Sequence, residues 1–260
     1  GISGGGDSGS KATRVEATAM ASPEEVKTKA NALTRLVIEL RKLISANDPA
    51  DIACGGKNAR EQLEPVFAVL KKLAADDINL ESPVIPSSFP KKALGFLPVW
   101  EERDFEIGIF AFPPGAKIPL HNHPGMCVIS HVLYGSVTTR SFDVDGKSGM
   151  PNRYRETTLT APQTDTLFAE EGNIHEFTAG PNGCAILDIL LPPYSDMDGR
   201  GCTYYRASSG VDLADLDAAD PDFMEKVLNI EKCGQPDWFA TYRIPSKMEK
   251  VDEIVLKRET

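Results

Sequence analysis

The chain has 260 residues and a formal net charge of −10, with a pI near 5.0. Such an acidic surface excludes nucleic acid and anionic membrane as natural partners, and no apolar run approaches the ~18 residues of a membrane span. The length suffices to bury a sizeable core, organised as one main domain with additions.

No hydrophobic signal segment opens the chain, and its start at Gly1, not Met, reads as trimmed or cleaved. Residues 1–20 are rich in Gly and Ser, poor in apolar side chains, and are expected to be disordered. Ser22-Pro23-Glu24-Glu25 combines an N-cap serine, a proline at the first helical position and acids in the first turn. From there Val26, Ala30, Leu33, Leu36, Val37, Leu40 and Leu43 recur at helical spacing to about Ser45. A second helix is expected over 58–75 on Leu63, Val66, Phe67, Val69, Leu70 and Leu73. Residues 21–80 are thus expected to form a helical hairpin packed on the rest of the chain.

Past Val84-Ile85-Pro86 the texture changes. Short apolar or alternating runs (GFLPVW, FEIGIFAF, MCVISHVLY, VTTRSFDV, TTLTAP, DTLFAE, HEFTAG, CAILDILL) lie between Pro, Gly, Asp and Asn clusters. Many short strands with turn signals mean an antiparallel sandwich or barrel over 81–260. A short helix is expected near 221–230, and the tail through Trp238-Phe239 and 250–258 is expected to return a last strand or two. The five scattered cysteines form no C-x-x-C pair, which fits reduced thiols in the cytoplasm and nucleus and gives no support to a zinc finger.

Three of the four histidines fall in two glycine-bounded segments, His121 and His123 in PLHNHPGM and His175 in EEGNIHEF. Residues i and i+2 of a strand point to one face, so His121 and His123 can aim at one point. A third imidazole about fifty residues on completes one face of a metal and leaves other positions open. His131, the fourth, reads as a structural histidine.

The glycine-led H-x-H, followed by G-x-x-H with Gly135 closing the next turn, resembles the two signatures of the cupins, small jelly-roll barrels of double-stranded β-helix type. The fold class expected is therefore mainly β, a cupin with an N-terminal helical hairpin. Cupins usually carry a glutamate four or five residues after the second histidine, where this chain has Cys127 and Val128. Three neutral imidazoles leave the full charge of a divalent ion uncancelled, a setting that attracts a thiolate.

LHNHPGMCVISHVLYGSVTTRSFD, IHEFTAG and AILDILLPPYSDMDGRGCTYY, with the preceding helices, resemble the plant cysteine oxidase and cysteamine dioxygenase family, closest to the plant branch. The resemblance runs from about residue 25 to the end. It implies an Fe(II) enzyme that adds both atoms of O2 to the thiol of an N-terminal cysteine, giving the sulfinic acid. The implied partners are proteins exposing that cysteine, such as hypoxia-response transcription factors. Their oxidised terminus feeds the arginine N-degron pathway, so that protein lifetime reports oxygen. His121, His123 and His175 match the iron ligands, and Asp188 and Tyr194 match active-site positions. A monomer is expected.

The residues themselves leave alternatives open. Asp188, inside an apolar run, is either a carboxylate hydrogen-bonded within the barrel or one that holds the substrate amine or relays protons. Tyr194, after Pro192-Pro193, either packs or orients substrate or oxygen. Cys202 and Tyr204 stand where the animal relative can carry a thioether; two unmodified residues are expected here. The rival functions are dioxygenation of cysteamine or free cysteine, a zinc or manganese isomerase or hydrolase, and a non-catalytic metal-binding cupin.

Overall fold

A computed structural model describes residues 31–85, 88–90 and 93–257. Helix α1 (Ala32–Ala46) is followed by a short α2 (Pro49–Ala53) and by α3 (Gly56–Leu70). The strands are β1 (Leu94–Glu101), β2 (Glu106–Phe112), β3 (Lys117–Asn122), β4 (Cys127–Val144), β5 (Pro151–Thr160), β6 (Thr164–Leu167), β7 (Ile174–Leu191) and β8 (Tyr204–Ala207). Helix α4 (Phe223–Leu228), β9 (Ile230–Cys233), β10 (Thr241–Arg243) and helix α5 (Glu253–Leu256) complete the order.

Of the helix expected from Ser22 to about Ser45, the described part is Ala32–Ala46. Asn31, in extended backbone, caps it by accepting from the Thr34 amide at 2.8 Å. A side-chain acceptor at this position satisfies an amide the helix cannot, which fixes the start. The expected Ser22 cap lies outside the described residues. Among the described residues of the 250–258 stretch, Glu253–Leu256 form the short α5 and none forms a strand; Asp252 caps the helix through the amides of Ile254 and Val255. The other tail segment does return a strand: β10 pairs parallel with β1.

The sheet has ten strands and centres on β7. One edge of β7 pairs with β2 through its C-terminal half and with β3 through its N-terminal half; β4 runs along the other edge. The expected strand pairs MCVISHVLY/VTTRSFDV and HEFTAG/CAILDILL are each one continuous strand of 18 residues. Gly135 accordingly closes no turn. It sits at a β-bulge with φ +75°, where an added Cβ would lie 2.0 Å from the Gly183 carbonyl oxygen. Only glycine permits that close crossing, and the bulge bends the paired strands so that the sheet curls into a barrel.

Along β7, Leu187, Ile189 and Leu191 join Leu33, Leu36, Leu40 and Leu63 of the helices in one core. Ile186, Asp188 and Leu190 alternate with them and face the barrel interior. Burying the outer face under α1 and α3 therefore dictates that Asp188 points inward. The result is the double-stranded β-helix, or cupin, architecture with helices on one face.

Candidate metal centre

The ligand loop follows from strand pairing. His121 on β3 stands directly opposite His175 on β7, and His123 follows one residue past the end of β3. The three ring centroids lie 4.8, 4.8 and 4.9 Å apart, and one nitrogen from each ring falls within 4.8 Å of the others. All are buried, at 7, 5 and 4 % exposure.

The tautomers follow from the outer contacts. His121 Nδ1 lies 2.8 Å from the Pro119 carbonyl, which can only accept, so Nδ1 carries the proton and Nε2 keeps its lone pair. The Tyr194 hydroxyl donates to the Asn122 carbonyl at 2.8 Å and is left to accept from His123 Nδ1, also at 2.8 Å. His123 Nε2 then turns toward His175 Nε2, 2.9 Å away. Burial pushes His121 down to about 4, and His123 and His175 well below the usual imidazole range. Neutral rings with converging Nε2 lone pairs and fixed outer hydrogen bonds are what a divalent transition metal requires. The donor set fits a metal.

Asn173 drew no assignment from sequence alone. Buried at 3 % exposure, it accepts from the His123 amide at 3.1 Å and donates to the carbonyls of His123 and Phe168 at 2.7 and 3.0 Å. Its place in the G-N-I-H motif was the available signal. Asn173→Ala leaves these groups unpaired. It is expected to lower metal affinity ~10–100-fold by loosening His123 and to cost ~1–3 kcal/mol in stability. Metal titration and denaturant unfolding of the variant check both.

The carboxylate missing from the sequence is missing in space. Cys127 packs in the helix–sheet core with its thiol pushed up to about 12 by burial, and Val128 sits in an apolar cluster with Met126 and Leu190. Cys127 therefore does not line the pocket. His131 also faces the helical layer, bonded to Thr164 Oγ1 and the Leu73 carbonyl, both at 2.8 Å.

In front of the histidines opens a pocket of about 310 Å3. Its walls are largely aromatic (Phe96, Phe110, Phe177, Phe239), and its polar groups include Asp188, Glu106, Tyr194, Cys202 and Tyr204. No Lys or Arg is among the residues that line it. Asp188 stands between Gly108 on β2 and Ser130 on β4. Burial pushes its carboxyl up to about 7, against a hydrogen bond from Ser130, and Oδ1 has no partner. The Tyr194 ring stacks on His123 at 5.1 Å, so its hydroxyl serves to hold that ligand. Cys202 shares the pocket wall with Tyr194 and Tyr204; burial pushes its thiol up, against the pull of those two hydroxyls.

A curled antiparallel barrel with three convergent imidazoles and an acid-bearing, cation-free pocket defines a cupin metalloprotein whose centre is built from histidine alone. The profile of the PCO_ADO family matches residues 69–251. A probable 2-aminoethanethiol dioxygenase of Dictyostelium discoideum is 36% identical over 173 residues, 62% of this chain and 79% of that protein. Plant cysteine oxidase 1 of Arabidopsis thaliana is 32% identical over 191 residues, 67% of this chain and 63% of that protein. Plant cysteine oxidase 2 of the same plant is 36% identical over 171 residues, 60% of this chain and 61% of that protein. The chain thus spans under two thirds of the length of these plant enzymes. Among solved structures, a cupin superfamily protein from Desulfitobacterium hafniense covers 44% of this chain and 89% of its own, at 16% identity and a TM-score of 0.33. The chain belongs to the PCO_ADO family of thiol dioxygenases.

Proposed function

We propose that the protein is an Fe(II)-dependent dioxygenase that converts the N-terminal cysteine of protein substrates to the sulfinic acid, so acting as an oxygen sensor for the arginine N-degron pathway. The observation that carries this reading is the charge of the pocket. Asp188 and Glu106 line it and no Lys or Arg does. Such a site suits a cationic α-amine beside the thiol and repels the carboxylate of free cysteine. When bound, iron would supply the Lewis acidity that lowers the thiol pKa and the redox capacity to use O2.

The chain's own residues do the rest. His121 and His175 fix the centre from paired strands, and Tyr194 and Asn173 lock His123 just past the end of β3. The unpaired Asp188 Oδ1 is free to accept a hydrogen bond or proton from substrate. The aromatic walls exclude water around the sulfur.

The chief alternative is a small-thiol dioxygenase, which the name of the Dictyostelium relative favours. Size speaks for the peptide: about 310 Å3 is several times what the four heavy atoms of cysteamine fill, taking ~10–15 Å3 of such space for one water-sized group as the scale. The test compares kcat/KM for a Cys-first peptide, cysteamine and free cysteine on the iron-loaded protein. The peptide is expected to lead and free cysteine to come last. Preference for cysteamine overturns the peptide assignment, and preference for free cysteine overturns the charge argument.

A further inference from the structure

Behind the metal centre the strand register builds a second polar feature. Asp188 on β7 pairs with Ser130 on β4, and Ser130 pairs in turn with Asp165 on β6. Directly opposed residues share one face of a sheet with Cβ atoms about 5 Å apart, so these three side chains form a row on the inner face. The far end is a sheet edge, since β6 pairs with β4 alone, and Asp165 there is exposed.

Beside the row lies a small cavity of about 10 Å3 lined by Ser130, Thr139, Arg155 and Asp165, among others. Thr139, 3 % exposed, has a hydroxyl without a partner, and so has the buried Nε of Arg155. Orphaned polar atoms around a space of one water's size are the mark of a bound water. The Arg155 charge is offset by Asp143 at 3.3 Å and Glu171 at 3.6 Å, so the cavity need not repel a proton.

Resting on the dioxygenase reading, we propose that this row is a proton exit: from Asp188 through Ser130 and one cavity water to Asp165 and the solvent behind the barrel. The reaction's balance requires an outlet. A thiol and O2 give a sulfinate and one proton; sulfur loses four electrons, O2 gains them, both oxygens bond to sulfur and the S–H bond breaks. A peptide seated in the pocket blocks the front, which leaves the back of the barrel. The Ser130 hydroxyl accepts from one side as it donates to the other, and Asp165 delivers the proton at the edge.

Asp165→Asn, on the exposed edge strand, and Ser130→Ala test the path. Both are expected to lower kcat about tenfold or more, the low end of what a positioned proton-transfer group contributes. The KM for peptide and the iron content should stay at wild-type values, and the solvent deuterium effect on kcat should rise. A crystal structure of the iron-loaded protein is expected to show a water within hydrogen-bond reach of Thr139 Oγ1 and Arg155 Nε. Wild-type kcat and isotope effect in Asp165→Asn overturn the path, as does a dry cavity. Should the wild type oxidise no thiol, the functional reading falls by itself and the cavity water alone decides whether the path stands.

Discussion

Replacing His175 with alanine is expected to abolish metal retention and reduce turnover to background, with the fold intact. Two imidazoles cannot complete the facial set, and Glu176, the next residue on β7, points to the opposite face of the strand, where Arg140 holds it at 3.2 Å. No other His, Cys, Asp or Glu joins the cluster among the described residues. Metal analysis after dialysis, with circular dichroism as the control for folding, checks the expectation. Retained stoichiometric metal would show that the site is built otherwise.

The second large effect is at Asp188. Asp188→Asn is expected to leave metal content near wild type and cut turnover by orders of magnitude, since in the proposed reaction the inward carboxyl, with its unpartnered Oδ1, takes a proton or the substrate amine. Stability should move the other way. The carboxyl sits near its ordinary value of 3.8 when unfolded and at about 7 when folded. The folded form thus resists ionisation, and stability falls as pH rises from about 4 to 7 and then levels off. In the metal-free protein at pH 8 the amide therefore removes a penalty of up to ~4 kcal/mol, at ~1.4 kcal/mol per pKa unit. A variant less active yet harder to unfold at pH 8 identifies a group kept for function. One that is both inactive and less stable points to a carboxyl held for structure. The same shift predicts that activity in the wild type rises as pH passes upward through the folded-state pKa of Asp188, lower in the iron-loaded protein than in the metal-free one.

The ligands were legible because the physics of the site is local. An H-x-H at a strand end and a G-x-x-H fifty residues on encode convergence through the period of two, and strand pairing sets His121 opposite His175. Asp188 was conspicuous because an acid in an apolar run must be justified; its direction was not, since that depends on which face the helices cover. The long strands were misread as pairs because Gly135 and the Gly180–Gly183 segment look like turns in one dimension. Only their mutual approach shows them to be bulges. Asn173 and the Tyr194–Asn122–His123 arrangement escaped for the same reason, their partners lying 50 to 72 residues away. The Asn31 cap of the described helix fell inside an apolar periodicity that runs on from Val26, so periodicity alone did not mark it. The absence of a cation from the pocket wall is a property of assembly that no motif encodes.

The most direct measurement is the product mass of a Cys-first peptide after aerobic incubation with iron-loaded protein, set against the same peptide with its α-amine acetylated and against one whose only cysteine is internal. The expected result is a gain of two oxygen atoms, located on the first residue, in the free-amine peptide alone. Equal oxidation of the acetylated peptide would contradict recognition of the amine by the acidic pocket, and no oxidation of any would leave a metal centre without the proposed reaction.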